Sequence, residues 1–309
     1  MPRLSHTVHE QIAPNLRLDL YISECLRLLT RSQIKAKGLK AAVNGKTVKM
    51  SRLVKQGDNL ELSWDDSSPV DIVPQDIPLD IVYEDERCVV VNKAQGIVVH
   101  PGAGNAQGTL ANALCFRRLK KGCNNAAAGI RPGIVHRLDK ETSGIIIAAY
   151  DDEAHAFLAD QFKSREVKKN YIAVVSGALK ENRGRIETFI ARDPRDRKRF
   201  AVSTRGKKAV TYFKVLKTWK THSLVLLRPK TGRTHQLRVH LMYVKCPILG
   251  DPVYGVKDRL FPDASMMLHA KSLTITLPCK TERVFSSPLP ERFTALISVL
   301  NAVENNYGN

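Results

Sequence analysis

Apolar and polar positions repeat with two different periods along this chain, and the periods mark out its elements. From Val167 to Gly177 the residues Tyr171, Ala173 and Val175 fall on one side of an extended chain, with Ile172 and Val174 on the other. That period of two predicts a strand. Ala209–Trp219 and Ser223–Arg228 repeat it around Lys220-Thr221-His222, which predicts a hairpin. Ile81-Val82-Tyr83 and Cys88–Lys93 predict an adjacent strand pair around Glu84-Asp85-Glu86, closed by a tight turn at Val98-Val99-His100-Pro101-Gly102. The period lengthens after Asp151-Asp152, where Ala154, Phe157, Leu158 and Phe162 share one face of a helix running to about Arg165. Leu237, Leu241 and Val244 have helical spacing as well, so Arg233 sits between a strand and a helix start. Helices alternate irregularly with hairpins. The order predicts an α+β fold: a mixed, largely antiparallel sheet with flanking helices.

Upstream of this body, residues 1–66 read as a small separate domain. Leu16, Leu18, Leu20, Ile22, Cys25, Leu26 and Leu29 give a mostly helical apolar face. Thr30-Arg31-Ser32-Gln33-Ile34-Lys35 predicts a second helix start, capped by Thr30 or Ser32, with Arg31, Lys35, Lys37 and Lys40 as a basic ridge. Val43-Asn44-Gly45-Lys46 predicts a hairpin, because Asn-Gly favours the turn that matches strand twist. Residues 67–79 carry Pro69, Pro74 and Pro78 and read as a linker, which leaves 80–309 as the larger domain.

Composition narrows the partners. The 309 residues carry a formal net charge of +19, which points to a polyanion. No apolar run is long enough to cross a bilayer, and the start of the chain lacks the apolar core of a signal peptide, so nucleic acid in the cytoplasm is the expected partner and a membrane is not. The six cysteines form no C-x-x-C pair, a pattern of reduced thiols without a zinc cluster. His235 and His240, five residues apart, face different sides of either a helix or a strand, so no metal site is expected.

The stretch His136-Arg137-Leu138-Asp139-Lys140-Glu141-Thr142-Ser143-Gly144 carries the chemistry. It sets one carboxylate beside a histidine, an arginine and two hydroxyls, in a loop that runs into the apolar strand Ile145–Ala149. An acid there needs a positive group to keep it charged and aimed, and Thr231-Gly232-Arg233-Thr234-His235-Gln236-Leu237-Arg238-Val239-His240 offers one. A lone aspartate before a strand would more simply accept backbone N–H groups. The two segments together resemble motifs II and III of the RluA/RluD-type RNA pseudouridine synthases. The strand pair Ile81–Tyr83 and Cys88–Lys93 with the turn Val98–Gly102 resembles motif I, with Ala94 where that family commonly has proline after the lysine, and Lys168–Ala173 resembles the strand of its catalytic tyrosine. Pro247–Gly255 and Leu268–Leu273 resemble the segments that follow motif III.

The resemblance implies the pseudouridine synthase fold and the isomerisation of uridine in RNA without a cofactor. Asp139 would act as nucleophile or positioned base, Arg233 as its ionic partner, and Tyr171 as a stacking ring and proton relay. A uridine must leave the stack to be reached, so Arg137 and His136 are candidates for a wedge or phosphate clamp, or else simply orient the loop. Lys168, Lys169, Arg197, Lys198 and Arg199 are candidate phosphate contacts, and Arg238 a phosphate-side or structural group. The order helix–helix–hairpin resembles an S4 RNA-binding domain, which makes Arg31 and Lys35 RNA-facing. That domain favours large-subunit ribosomal RNA as substrate, with transfer RNA second, and a monomer is expected. Two rivals stand beside this reading. A non-catalytic RNA-binding scaffold would have no need of Asp139, Tyr171 and Arg233 together, and a glycosidase or metal-dependent nuclease would require further acids.

Overall fold

The computed structural model describes residues 2–9, 15–29, 31, 34, 37–64, 72–102, 104–122, 133–196 and 198–307. The chain divides into two compact units, Met1–Asp71 and Ile72–Asn309.

The first unit is built on a four-stranded antiparallel sheet of β1 (Arg3–Thr7), β2 (Lys40–Val43), β3 (Lys46–Val48) and β4 (Asn59–Ser63), in the order β1-β4-β2-β3. Asn44 and Gly45, at φ 51° and 74°, turn β2 into β3, as the Asn-Gly pair predicts. The apolar run between β1 and β2 forms a helical turn, Leu18–Leu20, that widens into a π-helical turn over Tyr21–Cys25. Leu18, Tyr21 and Ile22 pack there with Leu60 and Leu62. Of the expected second helix, Arg31 and Ile34 are helical, whereas Thr30, Ser32 and Lys35 lie outside the described residues.

The second unit starts earlier than expected. Val73 and Gln75, assigned from sequence to the linker, are tied to the helix Leu110–Lys120: Asn112 Nδ2 donates to Val73 O at 2.8 Å and Gln75 N to Asn112 O at 3.1 Å. Prolines remove backbone donors nearby but leave carbonyls free to accept, so this segment docks onto the larger body.

That body is one ten-stranded sheet. Its strands are β5 (Ile81–Glu84), β6 (Cys88–Lys93), β7 (Ser143–Ala149), β8 (Lys168–Ser176), β9 (Arg183–Arg192), β10 (Phe200–Val202), β11 (Lys207–Thr218), β12 (His222–Pro229), β13 (Leu268–Thr276) and β14 (Glu282–Ser286). Their order is β10-β9-β11-β12-β8-β13-β7-β6-β5, with β14 paired to β13. Among the described residues every strand pairing is antiparallel except β13 with β7, where His269 and Ala270 run parallel to Ser143 and Gly144. The fold is therefore the expected mixed α+β, and β7 and β8, which flank β13, bring two of the candidate site residues to neighbouring places in it.

Local chemistry sets the helix starts. Thr109 and Asn112 cap Leu110–Lys120 reciprocally, and the Asp151 carboxylate accepts from Ala154 N at 2.7 Å to begin Asp152–Ser164. The helices Gln236–Tyr243 and Glu291–Tyr307 follow later in the chain. The main core gathers Ile172, Val174, Val225, Leu227, Leu241, Met267 and Phe293 between sheet and helices.

Candidate active site

Asp139 stands in a turn just ahead of β7, closed by Thr142 N–H donating to Asp139 O at 3.1 Å. The turn rests on Lys93, the buried end of β6, whose ammonium donates to the carbonyls of Ala94 (2.8 Å), Ile97 (2.9 Å) and Lys140 (3.2 Å). Burial lowers the Lys93 pKa to about 8. Motif I thus buttresses the loop of motif II, and Ala94 fills its position without disturbing that contact.

His136 turns inward. Its ring stacks on Phe162 at 4.4 Å, and its Nε2 accepts from Ile147 N at 3.1 Å. Burial pushes its pKa down to about 3, which keeps the imidazole neutral. Of the two roles considered for it, contact with RNA and orientation of the loop, the geometry fits the second. Arg137 remains exposed and lines the cleft beside Asp139.

The guanidinium facing Asp139 is not the expected one. Arg238 Nη1 donates to Asp139 Oδ2 at 3.3 Å, while Arg233 donates through Nε to Lys208 O at 3.0 Å. The reason is the backbone at His235, which adopts φ 55° and turns the chain left-handed before the helix begins. Arg233 is left in the approach to the helix. Arg238, two residues inside the helix, is buried and takes the pairing assigned to Arg233.

Arg238 is itself held from behind. Its Nε and Nη2 each donate at 2.7 Å to the two oxygens of Asp251, which is buried and also accepts from Val253 N and Tyr254 N. These contacts hold the Asp251 carboxyl below the usual carboxylate range against the opposing effect of burial. The ring of Tyr254 lies 5.0 Å from the same guanidinium. Asp251 and Tyr254 belong to the segment Pro247–Gly255, but nothing in its spacing announces a bidentate contact 13 residues back along the chain.

Tyr171, on β8, lines the same cleft. Burial and the nearby charge of Asp139 both raise its pKa, so it stays a phenol. Lys169 shares its side of the strand, faces the cleft, and lies 5.9 Å from the Phe162 ring centroid. Lys168 points the other way and sits 3.8 Å from Glu282, so it does not belong to the cleft. Arg199 lies over Tyr254 at 5.3 Å and donates to Met242 Sδ, and Lys198 is exposed. Arg197 lies outside the described residues. In the first unit Arg31 donates to the Asp19 carboxylate at 3.2 Å.

The cleft measures about 490 Å³ and is walled by Asp139, Arg137, Lys169, Tyr171, His235 and Arg238 among others. Among the described residues, both the Arg238 guanidinium at 3.3 Å and the His235 ring at 4.0 Å approach Oδ2 of Asp139, and Oδ1 has no hydrogen-bond partner. The arrangement sets one carboxylate oxygen without a hydrogen-bond partner in a cleft shared with a phenol ring and the basic side chains Arg137, Lys169 and Arg238. Among the described residues no three His, Cys, Asp or Glu side chains converge as a metal site.

Residues 87–243 match the family of RNA pseudouridylate synthases. The chain belongs to that family. A pseudouridylate synthase from Borreliella burgdorferi, named ribosomal large subunit pseudouridine synthase D, is 44% identical over 92% of this chain and 89% of its own length. One of the same name from Xanthomonas campestris is 37% identical over 96% of this chain and 92% of its own. The structure of human RNA pseudouridylate synthase domain containing 4 superposes with a TM-score of 0.58 at 28% identity, covering 72% of this chain and 92% of that one. As a pseudouridylate synthase, the protein is an isomerase acting on RNA, and its cleft is of the size that holds a small ligand, roughly 300–1,000 Å³.

Proposed function

We propose that this protein converts uridines of large-subunit ribosomal RNA to pseudouridine, with Asp139 as the nucleophile. The reaction breaks N1–C1′, turns the uracil and joins C5 to C1′, while the C5 proton leaves and N1 gains one, so no atom is lost. The observation that carries the reading is the single carboxylate of Asp139, tethered through Oδ2 to Arg238 and open at Oδ1, in a cleft shared with Tyr171. A flipped uracil stacked on Tyr171 would bring its glycosidic bond to that free oxygen. Tyr171 is suited to carry a proton as a neutral acid, and Arg137 at the rim to occupy the place the base vacates.

The choice of ribosomal RNA rests on the names of the relatives and on the net charge of +19. The amino-terminal unit, read as an S4 domain, would bind the same RNA, with Arg31 among its contacts. We assign the protein to the cytoplasm as a monomer; a sequence without any C-x-x-C pair is in keeping with a reducing compartment.

The test uses purified protein on large-subunit RNA transcripts and on transfer RNA, with pseudouridine mapped at base resolution. The wild type is expected to modify the ribosomal transcript. Asp139→Asn is expected to bind it with unchanged affinity and to form no pseudouridine. Full turnover by Asp139→Asn would exclude the nucleophile, and modification of transfer RNA alone would exclude the substrate.

A further inference from the structure

His235 presents an unassigned group to the catalytic carboxylate. Its backbone is left-handed at φ 55°, its side chain lines the cleft, and its Nε2 lies 4.0 Å from Asp139 Oδ2. The other nitrogen, Nδ1, is 2.9 Å from the hydroxyl of Tyr254. Which atom owns the proton in that contact follows from a third group. The backbone N–H of Phe200 donates to the Tyr254 hydroxyl oxygen at 2.7 Å, and a backbone N–H can only donate.

Tyr254 is 4% exposed, and among the described residues its hydroxyl has these two partners alone. If His235 Nδ1 carried a proton, the hydroxyl would accept twice and its own hydrogen would be left buried without an acceptor, a costly arrangement. Donation from Tyr254 to Nδ1 satisfies all three groups at once. The hydrogen of a neutral His235 then has to sit on Nε2, the nitrogen that faces Asp139. Phe200 and Tyr254 also pack edge-on against the imidazole, with ring centroids 5.6 Å away in each case, which fixes its plane.

We propose that Tyr254 is a positioning residue that locks His235 in the Nε2–H tautomer, giving Asp139 Oδ2 a neutral N–H donor beside the charged one from Arg238. The 4.0 Å separation becomes a hydrogen bond with a shift of about an ångström. With both donors on Oδ2, the carboxylate cannot rotate, and Oδ1 stays directed at the nucleotide. The ring meets Asp139 and Arg137 from the catalytic loop, Arg238 from its own helix and Asp251 from the following turn, with Arg199 across the Tyr254 ring and Arg192 across Phe200. Burial outweighs the two carboxylates and lowers the His235 pKa, in keeping with a neutral ring.

The inference rests on the proposed isomerase for its meaning but not for its test. Protein labelled with ¹⁵N-histidine is followed by NMR from about pH 6 to 8, with His235→Gln removing one resonance pair and so assigning it. The wild type is expected to show Nδ1 bare and Nε2 protonated throughout. Tyr254→Phe keeps the ring but removes the donor, and is expected to populate the other tautomer and to protonate as pH falls. Its single-turnover rate should drop roughly ten-fold with RNA affinity unchanged, and should acquire a dependence on pH in that range. His235→Gln, which retains an N–H donor, should keep more activity than His235→Ala. A wild-type ring with Nδ1–H, a doubly protonated ring at neutral pH, or a Tyr254→Phe variant with the wild-type tautomer would each overturn the proposal. Failure of the wild type to modify any RNA would defeat the isomerase reading alone, since the NMR result does not depend on turnover.

Discussion

At the scale of single residues, two arginines five positions apart divide the roles that sequence assigned to one. Arg238 is buried between the carboxylates of Asp139 and Asp251, and Arg233 donates to a backbone carbonyl. A lysine at 238 keeps the charge but cannot make the fork to Asp251 while also reaching Asp139. Arg238→Lys is therefore expected to lose about 3 kcal/mol of stability, by leaving Asp251 poorly paired, and at least roughly 100-fold in single-turnover rate. Arg233→Ala is expected to change stability by less than about 1 kcal/mol and turnover by less than roughly ten-fold. Urea unfolding and single-turnover assays on both variants decide the matter, and equal losses would return the role to Arg233. The sequence made the acid legible because Asp139 lies inside a dense local pattern. It could not choose between the arginines, because the choice depends on a left-handed histidine at 235, a conformation residues other than glycine seldom adopt.

At the scale of elements, the decisive join is the parallel contact of β7 with β13 just behind Asp139. Gly144 has φ 114° there, and a Cβ on it would lie 2.3 Å from Ala270 O. Gly144→Ala is expected to destabilise the protein by more than about 3 kcal/mol, through both the strained backbone and the forced separation of the strands. Gly232→Ala makes the control. Its added carbon would meet only Lys169 Nζ at 3.9 Å, so a shift within about 0.5 kcal/mol is expected by the same unfolding assay. Similar losses in the two would show that crowding at the β7–β13 join is not what requires glycine. Strands β8, β11 and β12 and the helix Asp152–Ser164 lie within about two residues of where periodicity put them, since each is an apolar stretch bounded by a local turn or cap. The join itself was not legible, because it pairs residues 126 apart and no local rule links them. The helix Leu110–Lys120 went unassigned for a different reason. Leu110, Ala111, Ala113, Leu114 and Cys115 are all buried, so its first turns show no single apolar face.

At the scale of the whole molecule, the second unit is held together partly by neutral histidines inside it. His240 lies between Thr188 of β9 and Thr211 of β11, and His269 between Ser143 of β7 and Ser287, so the two serve opposite halves of the sheet. Both are 0% exposed, and burial lowers each pKa to about 4. An unfolded histidine titrates near pH 6.5. Between those values the unfolded chain binds protons that the folded one refuses, so stability is complete above about pH 6.5 and falls as the solution is acidified. Each ring can contribute up to about 1.4 kcal/mol per pH unit in that window. Below it a second loss begins, because Glu84, ion-paired with Arg117 and Lys121, has its pKa lowered to about 2 and loses its stabilising charge as pH falls from about 4.5. Urea unfolding in steps from pH 7.5 to 4.5 is therefore expected to give a steep decline in the wild type. His240→Gln keeps hydrogen-bonding capacity toward the threonines but does not titrate, so its curve should start lower and decline less steeply by about one proton's worth. Its stability should approach that of the wild type near the acid end. A decline of unchanged slope would mean that the His240 ring takes up its proton in the folded protein as readily as in the unfolded chain, and that burial between two strands does not keep it neutral.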